Sequence, residues 1–396
     1  MKVYKNLVNA VAETLQDIFT RDRYADKALE KKLKAHPQWG SRDRRFVAEA
    51  VYDIVRYKRL YTELIHSPGN FWMMVAAWMV LKGIEFPDWP EFRDLNRDQV
   101  LLDAQALKSM PVVSESYPDW LWELGVRELG DSVWEQEARA MNQPAKVVLR
   151  VNSLKCTEEE FLNKMAQQAI QLEKVPDHDL SYVLRKRENV FRNTLFREGF
   201  FEIQDAGSQG IAPFLDPRPG ELVVDACAGA GGKSLHLAAL MKNKGKVISM
   251  DLEQWKLDEL KKRARRAGAY NIETLLMDTD ERLGPLLGKA DRLLLDVPCS
   301  GSGVFRRNPD AKWKLSLESI ERTKLIQQKI LRSYSAMLKP GGDMVYSTCS
   351  IFPSENHLQV ENFLKSNPSF RLVAEKNVMP SAGFDGFYMA RLKRVS

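Results

Sequence analysis

The sequence has few cysteines, no long hydrophobic run and little net charge for its length of 396 residues. Its four cysteines form no C-x-x-C pair and no zinc-ligand spacing with histidine, so neither a metal site nor a disulfide framework is expected. The longest apolar run, 71–81, falls short of the roughly 18 residues that suggest a membrane span. The first residues lack the apolar region of a signal peptide. We therefore expect a cytoplasmic protein with no metal and no membrane partner, and a monomer.

Positive charge is concentrated at the start of the chain. The first 60 residues hold 14 Lys and Arg against 8 Asp and Glu, so this segment accounts for the whole net charge of +6. Residues 1–138 show apolar residues at three- and four-residue spacing, which predicts helices over 8–19 and 44–64, a further helix over 120–141 and a buried helix over 71–78. A basic helical segment joined to a neutral body favours a polyanionic partner such as RNA. A solvated helix surface is the alternative.

The sequence pattern changes after this segment. Residues 139–205 combine a strand-like stretch at 147–151 with a helix over 157–168 that Thr157 is placed to cap, which predicts a small α/β module. From residue 220 onward, apolar strands alternate with amphipathic helices, which predicts a mostly parallel sheet covered on both faces. Ligands of such sheets bind at the carboxyl ends of the strands. Four of the apolar runs end there in an aspartate: Asp225, Asp251, Asp278 and Asp296.

A glycine-rich turn follows the first of these strands. Residues 227–233, with the sequence CAGAGGK, precede a helix expected to begin at Ser234. Glycine lets the backbone approach a ligand closely and leaves the helix N-terminal amides free to bind it. The spacing departs from both G-x-G-x-x-G and G-x-x-x-x-G-K-[ST], so neither a dinucleotide nor a nucleoside triphosphate is favoured. Asp251 is placed to accept hydrogen bonds from ribose hydroxyls and Asp278 to reach an adenine amine, which predicts an adenosine-containing ligand.

Three motifs in a fixed order resemble those of a known family. They are CAGAGGK, DVPCSGSG at 296–303 and YSTCS at 346–350, and with them the chain is similar to the RsmB/Sun family of S-adenosylmethionine-dependent RNA cytosine-C5 methyltransferases. The segment SRDRRFVAEAVYDIVR at 41–56 resembles the NusB-like RNA-binding domain of the bacterial rRNA members. The resemblance implies an α/β protein in three parts. These are an all-α NusB-like RNA-binding domain (1–138), a small α/β RNA-binding module (139–205) and a Rossmann-like class I methyltransferase domain (206–396).

The resemblance also implies the cofactor and its binding residues. S-adenosylmethionine would be held by Cys227, Ala228, Gly229, Ala230, Gly231, Gly232, Lys233, Asp251, Asp278 and Asp296. This chain has Ala230 where the family commonly has proline. Because that change frees the backbone but removes no functional group, we expect it to affect cofactor affinity rather than cofactor identity.

Two cysteines suit the chemistry at C5 of cytosine. C5 is a poor nucleophile until a thiolate adds to C6, and the ring must afterwards lose both the C5 proton and the thiolate. Spacing alone does not say which cysteine attacks. The resemblance implies that Cys349 is the nucleophile, that Cys299 assists product release, that Asp296 bonds N3 or the exocyclic amine, and that Lys233 lies in the same pocket. A helix expected to begin at 354–356 would favour a thiolate at Cys349.

Other interpretations accompany this one. Arg306 and Arg307 either hold a flanking phosphate or lie in a solvated loop, and Cys156 is expected to be a packing residue. A methyltransferase for exocyclic amines or glutamine typically carries N/D-P-P-Y/F, where this chain has Asp-Val-Pro-Cys at 296–299. A non-enzymatic ribosome-assembly factor that binds RNA is a further alternative. Small-subunit rRNA is the expected substrate and tRNA the second choice, with the target base single-stranded or flipped out.

Overall fold

The computed structural model describes residues 3–67, 69–85, 87–186 and 189–396, except for the side chains of Asp280 and Glu281. They form two compact units. The first comprises the described residues up to Gln143 together with Phe305–Leu317, and the second comprises those of Pro144–Val304 and Glu318–Ser396. Within the described ranges, no helix is long and apolar enough to cross a membrane.

The helices and strands follow in chain order. The α-helices are α1 (Lys5–Phe19), α2 (Ala25–Ala35), α3 (Ser41–Arg56), α4 (Lys58–Ile65), α5 (Phe71–Leu81), α6 (Arg97–Leu107), α7 (Pro111–Ser114), α8 (Asp119–Leu129), α9 (Asp131–Met141), α10 (Glu158–Gln167), α11 (Thr194–Arg197), α12 (Ala206–Gln209), α13 (Ile211–Leu215), α14 (Gly232–Leu240), α15 (Gln254–Ala267), α16 (Ala311–Lys314), α17 (Leu317–Tyr334) and α18 (His357–Ser366). The strands are β1 (Val148–Val151), β2 (Leu172–Lys174), β3 (Ser181–Leu184), β4 (Phe201–Ile203), β5 (Leu222–Asp225), β6 (Lys246–Asp251), β7 (Ile272–Leu276), β8 (Ala290–Asp296), β9 (Leu338–Thr348), β10 (Phe370–Val378) and β11 (Phe387–Arg394).

The first unit is helical and its core centres on α5. This helix is apolar on all sides, and Met73 to Val80 are all buried. It packs against α1, α3, α4 and α6, whose apolar residues recur at three- and four-residue spacing and so face it along one side. The buried helix predicted over 71–78 is confirmed, and it continues to Leu81.

Two longer predicted helices are interrupted. The helix predicted over 44–64 is divided between α3 and α4, with Tyr57 between them. The helix predicted over 120–141 is divided between α8 and α9 by Gly130, whose φ of +82° does not occur within a helix. The apolar pattern therefore predicts correctly that both segments are helical, but each predicted helix is two helices in the structure.

The segment Phe305–Leu317 is an integral part of the first unit. Lys312 is buried, with its Nζ 4.1 Å from the ring centroid of Tyr117 and 3.3 Å from Oδ1 of Asn142. Burial lowers the pKa of Lys312 well below its usual value. The indole Nε1 of Trp313 donates to the carbonyl of Val55 at 2.7 Å.

Arg306 lies in the same segment and is buried. Its guanidinium donates to the carbonyl of Ala140 at 3.1 Å, and its own carbonyl accepts from Arg56 at 3.0 Å. Neither sequence-based interpretation of Arg306 holds, because a buried guanidinium bonded to the backbone neither contacts a phosphate nor lies in solvent.

The second unit contains a small antiparallel sheet in the order β2-β3-β1-β4. The helix α10 covers it and begins in a capping box, in which Thr157 accepts from the amide of Glu160 while Glu160 accepts from the amide of Thr157. Cys156 packs against the hydrophobic core of this sheet, and burial raises its pKa to about 11. Its place agrees with the packing role expected for it.

The larger sheet of the second unit has seven strands in the order β10-β11-β9-β8-β5-β6-β7. The five strands from β5 to β9 are parallel, while β10 and β11 are antiparallel additions at one edge. Leu293 and Leu295 contribute to the core on one face and Leu294 to the core on the other, which explains why the strands are apolar throughout. Asp225, Asp251 and Asp296 are the last residues of β5, β6 and β8, whereas Asp278 lies two residues beyond the end of β7. The second unit is therefore a Rossmann-like α/β structure.

Candidate active site

The glycine-rich turn lies between β5 and α14 and is held from three sides. Gly231 has a φ of +84°, and a Cβ there would lie 2.4 Å from Cγ of Leu260, so only glycine fits. The carboxylate of Asp251 accepts from the amides of Gly229 and Glu253, both at 2.9 Å. Arg263 donates to the carbonyl of Ala230 at 2.8 Å. This bond fixes the turn at the position where the related family commonly has proline.

A cavity of about 180 Å³ opens beside this turn. Five of the residues that the sequence analysis assigned to the cofactor line it, namely Cys227, Ala228, Gly232, Lys233 and Asp296. The cavity is also lined by residues that the sequence analysis did not assign, namely Ile203, Gln204, Ser208, Asp225 and Arg263.

Asp251 and Asp278 lie outside the lining of this cavity. Asp251 is bonded to the glycine-rich turn itself. Asp278 is exposed and paired with Arg282 at 2.6 Å.

Asp225 also lines this cavity, and its carboxyl group is only partly hydrogen-bonded. Its Oδ2 accepts from the hydroxyl of Ser234 at 2.7 Å, while its Oδ1 is buried and has no hydrogen-bond partner in the described part of the chain. Burial raises the pKa of Asp225 to about 7, and the charge of Asp296 adds to the shift. A buried carboxylate with a spare oxygen fits a ligand that carries hydrogen-bond donors or a positive charge.

Lys233, at the end of the glycine-rich turn, and Asp296, at the end of β8, form an ion pair. Nζ of Lys233 lies 2.5 Å from Oδ2 of Asp296, and the hydroxyl of Ser347 donates to Oδ1 at 2.9 Å. Burial alone would lower the pKa of Lys233, but Asp296 raises it, and Asp225 and Cys349 add to that rise. Lys233 therefore remains a cation within electrostatic reach of Cys349.

The two motif cysteines are in contact. Cys299 lies three residues beyond β8 and Cys349 directly follows β9, and their sulfurs are 3.2 Å apart. The hydrogen bond to Cys349 and burial together raise the pKa of Cys299 well above its usual value, and the charge of Glu355 contributes. Gly303 secures this approach, because its amide donates to the carbonyl of Cys349 at 2.9 Å and a Cβ would lie 2.4 Å from the carbonyl oxygen of Gly386.

The segment after Cys349 differs from the sequence-based expectation. Residues Pro353–Glu355 form a single 3-10 turn, and α18 begins only at His357. The expected helix N-terminus at 354–356 lies just before the observed one, since Asn356 is the N-cap of α18, and the side chain of Glu355 points into the buried space between the two cysteine loops.

No group of three or more His, Cys, Asp or Glu side chains that could hold a metal occurs among the residues that the structure describes.

The parallel sheet, the glycine-rich turn and the acids at the strand ends together define a Rossmann-like methyltransferase that uses S-adenosylmethionine. The family model described as "16S rRNA methyltransferase RsmB/F" matches residues 212–393, and the one described as an RsmF/B-like ferredoxin-like domain matches residues 117–190. The chain belongs to the RsmB/F methyltransferase family.

Individual relatives agree with this assignment. The chain is 30% identical to the "Probable ribosomal RNA small subunit methyltransferase B" of Synechocystis over 96% of its own length and 97% of the relative's. It is 34% identical to the "Ribosomal RNA small subunit methyltransferase B" of Vibrio cholerae, covering 76% of this chain and 70% of the relative. Among solved structures, that of PH0851 matches with a TM-score of 0.82 and 25% identity over 99% of both chains.

Proposed function

We propose that this protein transfers a methyl group from S-adenosylmethionine to C5 of a cytosine in RNA, with small-subunit rRNA as the substrate. The observation that carries the proposal is the contact of two thiols, 3.2 Å apart, at the ligand-binding edge of a methyltransferase sheet. Methylation of an amine needs no thiol, whereas activation of C5 requires a nucleophile that adds to C6 and later leaves. The names of the Synechocystis and Vibrio relatives support rRNA over tRNA.

The cofactor supplies an electrophilic methyl group when bound. The chain's own residues prepare the base that receives it. The sulfur of Cys349 forms a bond to C6, and the electrons of the C5–C6 double bond then make C5 nucleophilic. Asp296 and Lys233, which pair at 2.5 Å, would bond the polar edge of the base and balance the charge that develops there.

The difference between the two sulfurs supports Cys349 as the nucleophile. The pKa of Cys299 is raised by its hydrogen bond with Cys349 and by burial, which disfavours a thiolate at Cys299. The cation of Lys233 is also within electrostatic reach of Cys349. Of the two sulfurs, the one beside the fixed cation is therefore the better candidate for the attacking group.

The cofactor-binding residues follow from the cavity and the turn. Cys227 to Lys233 would surround the ligand through their backbone, and Asp225 and Asp296 would offer acceptors inside the cavity. Asp251 would accept from the ribose and at the same time hold the turn through Gly229. Asp278 would reach the adenine from the end of β7.

Asp251→Ala should weaken S-adenosylmethionine binding by about 1.5 to 3 kcal/mol, the range for loss of a hydrogen bond to a charged group. The same change removes the acceptor that holds Gly229, which adds to the loss. Isothermal titration calorimetry measures the affinity. Asp258→Ala, on the exposed side of α15, is the matched control and should leave binding unchanged. Equal affinity in both variants would contradict the ribose assignment.

We propose further that the basic helices of the first unit, with the small sheet of the second, bind RNA by phosphate contacts. Lys31, Arg42 and Arg45 are exposed cations of this region. Replacing all three by Gln should reduce the magnitude of the slope of log K against log salt by about 2 to 3, since each phosphate contact contributes about 0.7 to 0.9. Fluorescence anisotropy with labelled rRNA measures the slope. Replacing the exposed Lys242, Lys244 and Lys289 of the second unit by Gln is the control, and an equal slope for both triple variants would contradict this role.

The proposed reaction is tested with purified protein, tritiated S-adenosylmethionine and unmodified rRNA and tRNA transcripts, followed by bisulfite sequencing. We expect label in small-subunit rRNA and one protected cytosine that is absent from rRNA of a deletion strain. Protection only in tRNA would change the substrate. Label without bisulfite protection would change the target atom, and RNA binding without label would indicate an assembly factor.

A further inference from the structure

The loops that carry the two cysteines meet on the buried side chain of Glu355. Its Oε1 accepts from the amide of Ser300 at 2.8 Å and from Nε2 of Gln327 at 3.1 Å. Its Oε2 accepts from the hydroxyls of Ser300 at 2.5 Å and Ser350 at 2.6 Å. Ser300 directly follows Cys299, and Ser350 directly follows Cys349. One carboxylate therefore joins the residues next to both sulfurs.

The hydrogen bonds around Glu355 require an acceptor with two oxygens. Ser350 Oγ accepts from the amide of Phe352 at 3.1 Å and donates to Oε2 of Glu355 at 2.6 Å. The four donors together satisfy a carboxylate that is completely buried, which would otherwise be costly. Gln327 extends the network by donating to the carbonyl of Pro298 at 2.9 Å, on the other side of Cys299.

The polypeptide around Glu355 is also held firmly. The hydroxyl of Tyr346 donates to its carbonyl at 2.6 Å. The side chain of the next residue, Asn356, donates to the carbonyl of Ser350 at 2.9 Å. The carboxylate thus projects from a fixed backbone, so it can impose a position on the loops that it binds.

We propose that Glu355 is a positioning residue that ties the Cys299 loop to the Cys349 loop and thereby keeps the two sulfurs in contact. Its part in catalysis rests on the proposed function, because only a reaction that uses both sulfurs on one base requires their separation to be fixed. Nothing in the local sequence marked this residue, which the helical pattern had placed at the start of a helix.

Glu355→Gln tests the proposal at nearly constant volume. The glutamine amide has only one acceptor oxygen, and its NH₂ group takes the place of the other carboxylate oxygen. That NH₂ group would face either the two N–H donors now at Oε1 or the two hydroxyls now at Oε2, so two of the four hydrogen bonds are lost. We expect methyl transfer to fall by at least about tenfold while the dissociation constant for S-adenosylmethionine stays within about twofold, because Glu355 does not line the cofactor cavity.

A second measurement reports the positions of the sulfurs without any RNA or cofactor. Diamide accepts two electrons and two protons as Cys299 and Cys349 form a disulfide, and the rate reports how often the sulfurs meet. Peptide mass spectrometry assigns the pair. We expect this rate to fall by at least about tenfold in Glu355→Gln, while alkylation of Cys156, the internal reference for general loosening, keeps its wild-type rate.

Glu375→Gln is the matched control, since its carboxylate accepts a single hydroxyl bond, from Tyr388 at 2.8 Å on the edge of the sheet. Ser300→Ala is a milder second variant that removes one hydroxyl and keeps the carboxylate, and it should slow disulfide formation by about threefold even if the glutamine variant does not fold. Wild-type disulfide rates in the folded Glu355 and Ser300 variants would overturn the proposal. If disulfide formation is slowed in the variants but the wild-type protein never methylates C5 of cytosine, the positioning role stands and the proposed function is rejected.

Discussion

Cys349→Ser is expected to abolish methylation and to leave no covalent RNA adduct. A serine hydroxyl is far harder to ionise than a thiol, whose unperturbed pKa is about 8.5, so the bond to C6 does not form. Without that bond C5 stays a poor nucleophile, and the rate should fall by about 10³-fold or more, as is usual when a covalent nucleophile is removed. Tritium transfer measures the rate, and denaturing electrophoresis of labelled RNA with the protein detects the adduct.

Cys156→Ser is the control for this substitution. Cys156 is a partly buried cysteine that packs on the small sheet, so its replacement tests the general effect of losing a thiol. We expect near wild-type transfer from it. An adduct that forms with Cys349→Ser but not with Cys299→Ser would reverse the two roles and place the nucleophile after β8.

The part of the site that the sequence predicted is the part fixed by the sheet. Apolar runs that end in Asp225, Asp251 and Asp296 correspond to β5, β6 and β8, because a strand buried on both faces must be apolar until it leaves the sheet. The carboxyl ends of parallel strands share one edge, so cysteines just beyond β8 and β9 had to lie near each other. The shared edge predicts that the two sulfurs lie near each other, but it does not predict their contact at 3.2 Å.

What the sequence did not predict depends on loops whose shape is set by distant residues. Glu355 lies on the same loop as Cys349, but the donors that give it a function come from Ser300 and Gln327, far away along the chain. The segment Phe305–Leu317 has no apolar periodicity that would assign it to the helical unit. Its place follows from contacts such as that of buried Lys312 with Tyr117, which local patterns do not encode.

Cys299→Ser is expected to methylate its substrate once and then to remain bound to it. After methyl transfer, C5 carries both the new methyl group and its original proton, and the sulfur of Cys349 is still bonded to C6. Cys299 lies against that sulfur and holds its own proton, because its pKa is raised. Cys299 can therefore pass this proton to the departing sulfur of Cys349 and take the C5 proton in its place. The electrons of the C6–S bond return to sulfur, and those of the C5–H bond re-form the C5–C6 double bond. One proton then leaves to solvent when Cys349 becomes a thiolate again.

A serine at position 299 does neither step efficiently, since its hydroxyl is a weak acid and its alkoxide is inaccessible at neutral pH. The bond between Cys349 and C6 should therefore persist, and the adduct should appear on denaturing gels with about one labelled methyl group per protein molecule. The double variant Cys299→Ser with Cys349→Ser should show no adduct, which ties the bond to Cys349. Continued turnover by Cys299→Ser would mean that water or another group removes the C5 proton, and the contact of the two sulfurs would then serve packing rather than product release.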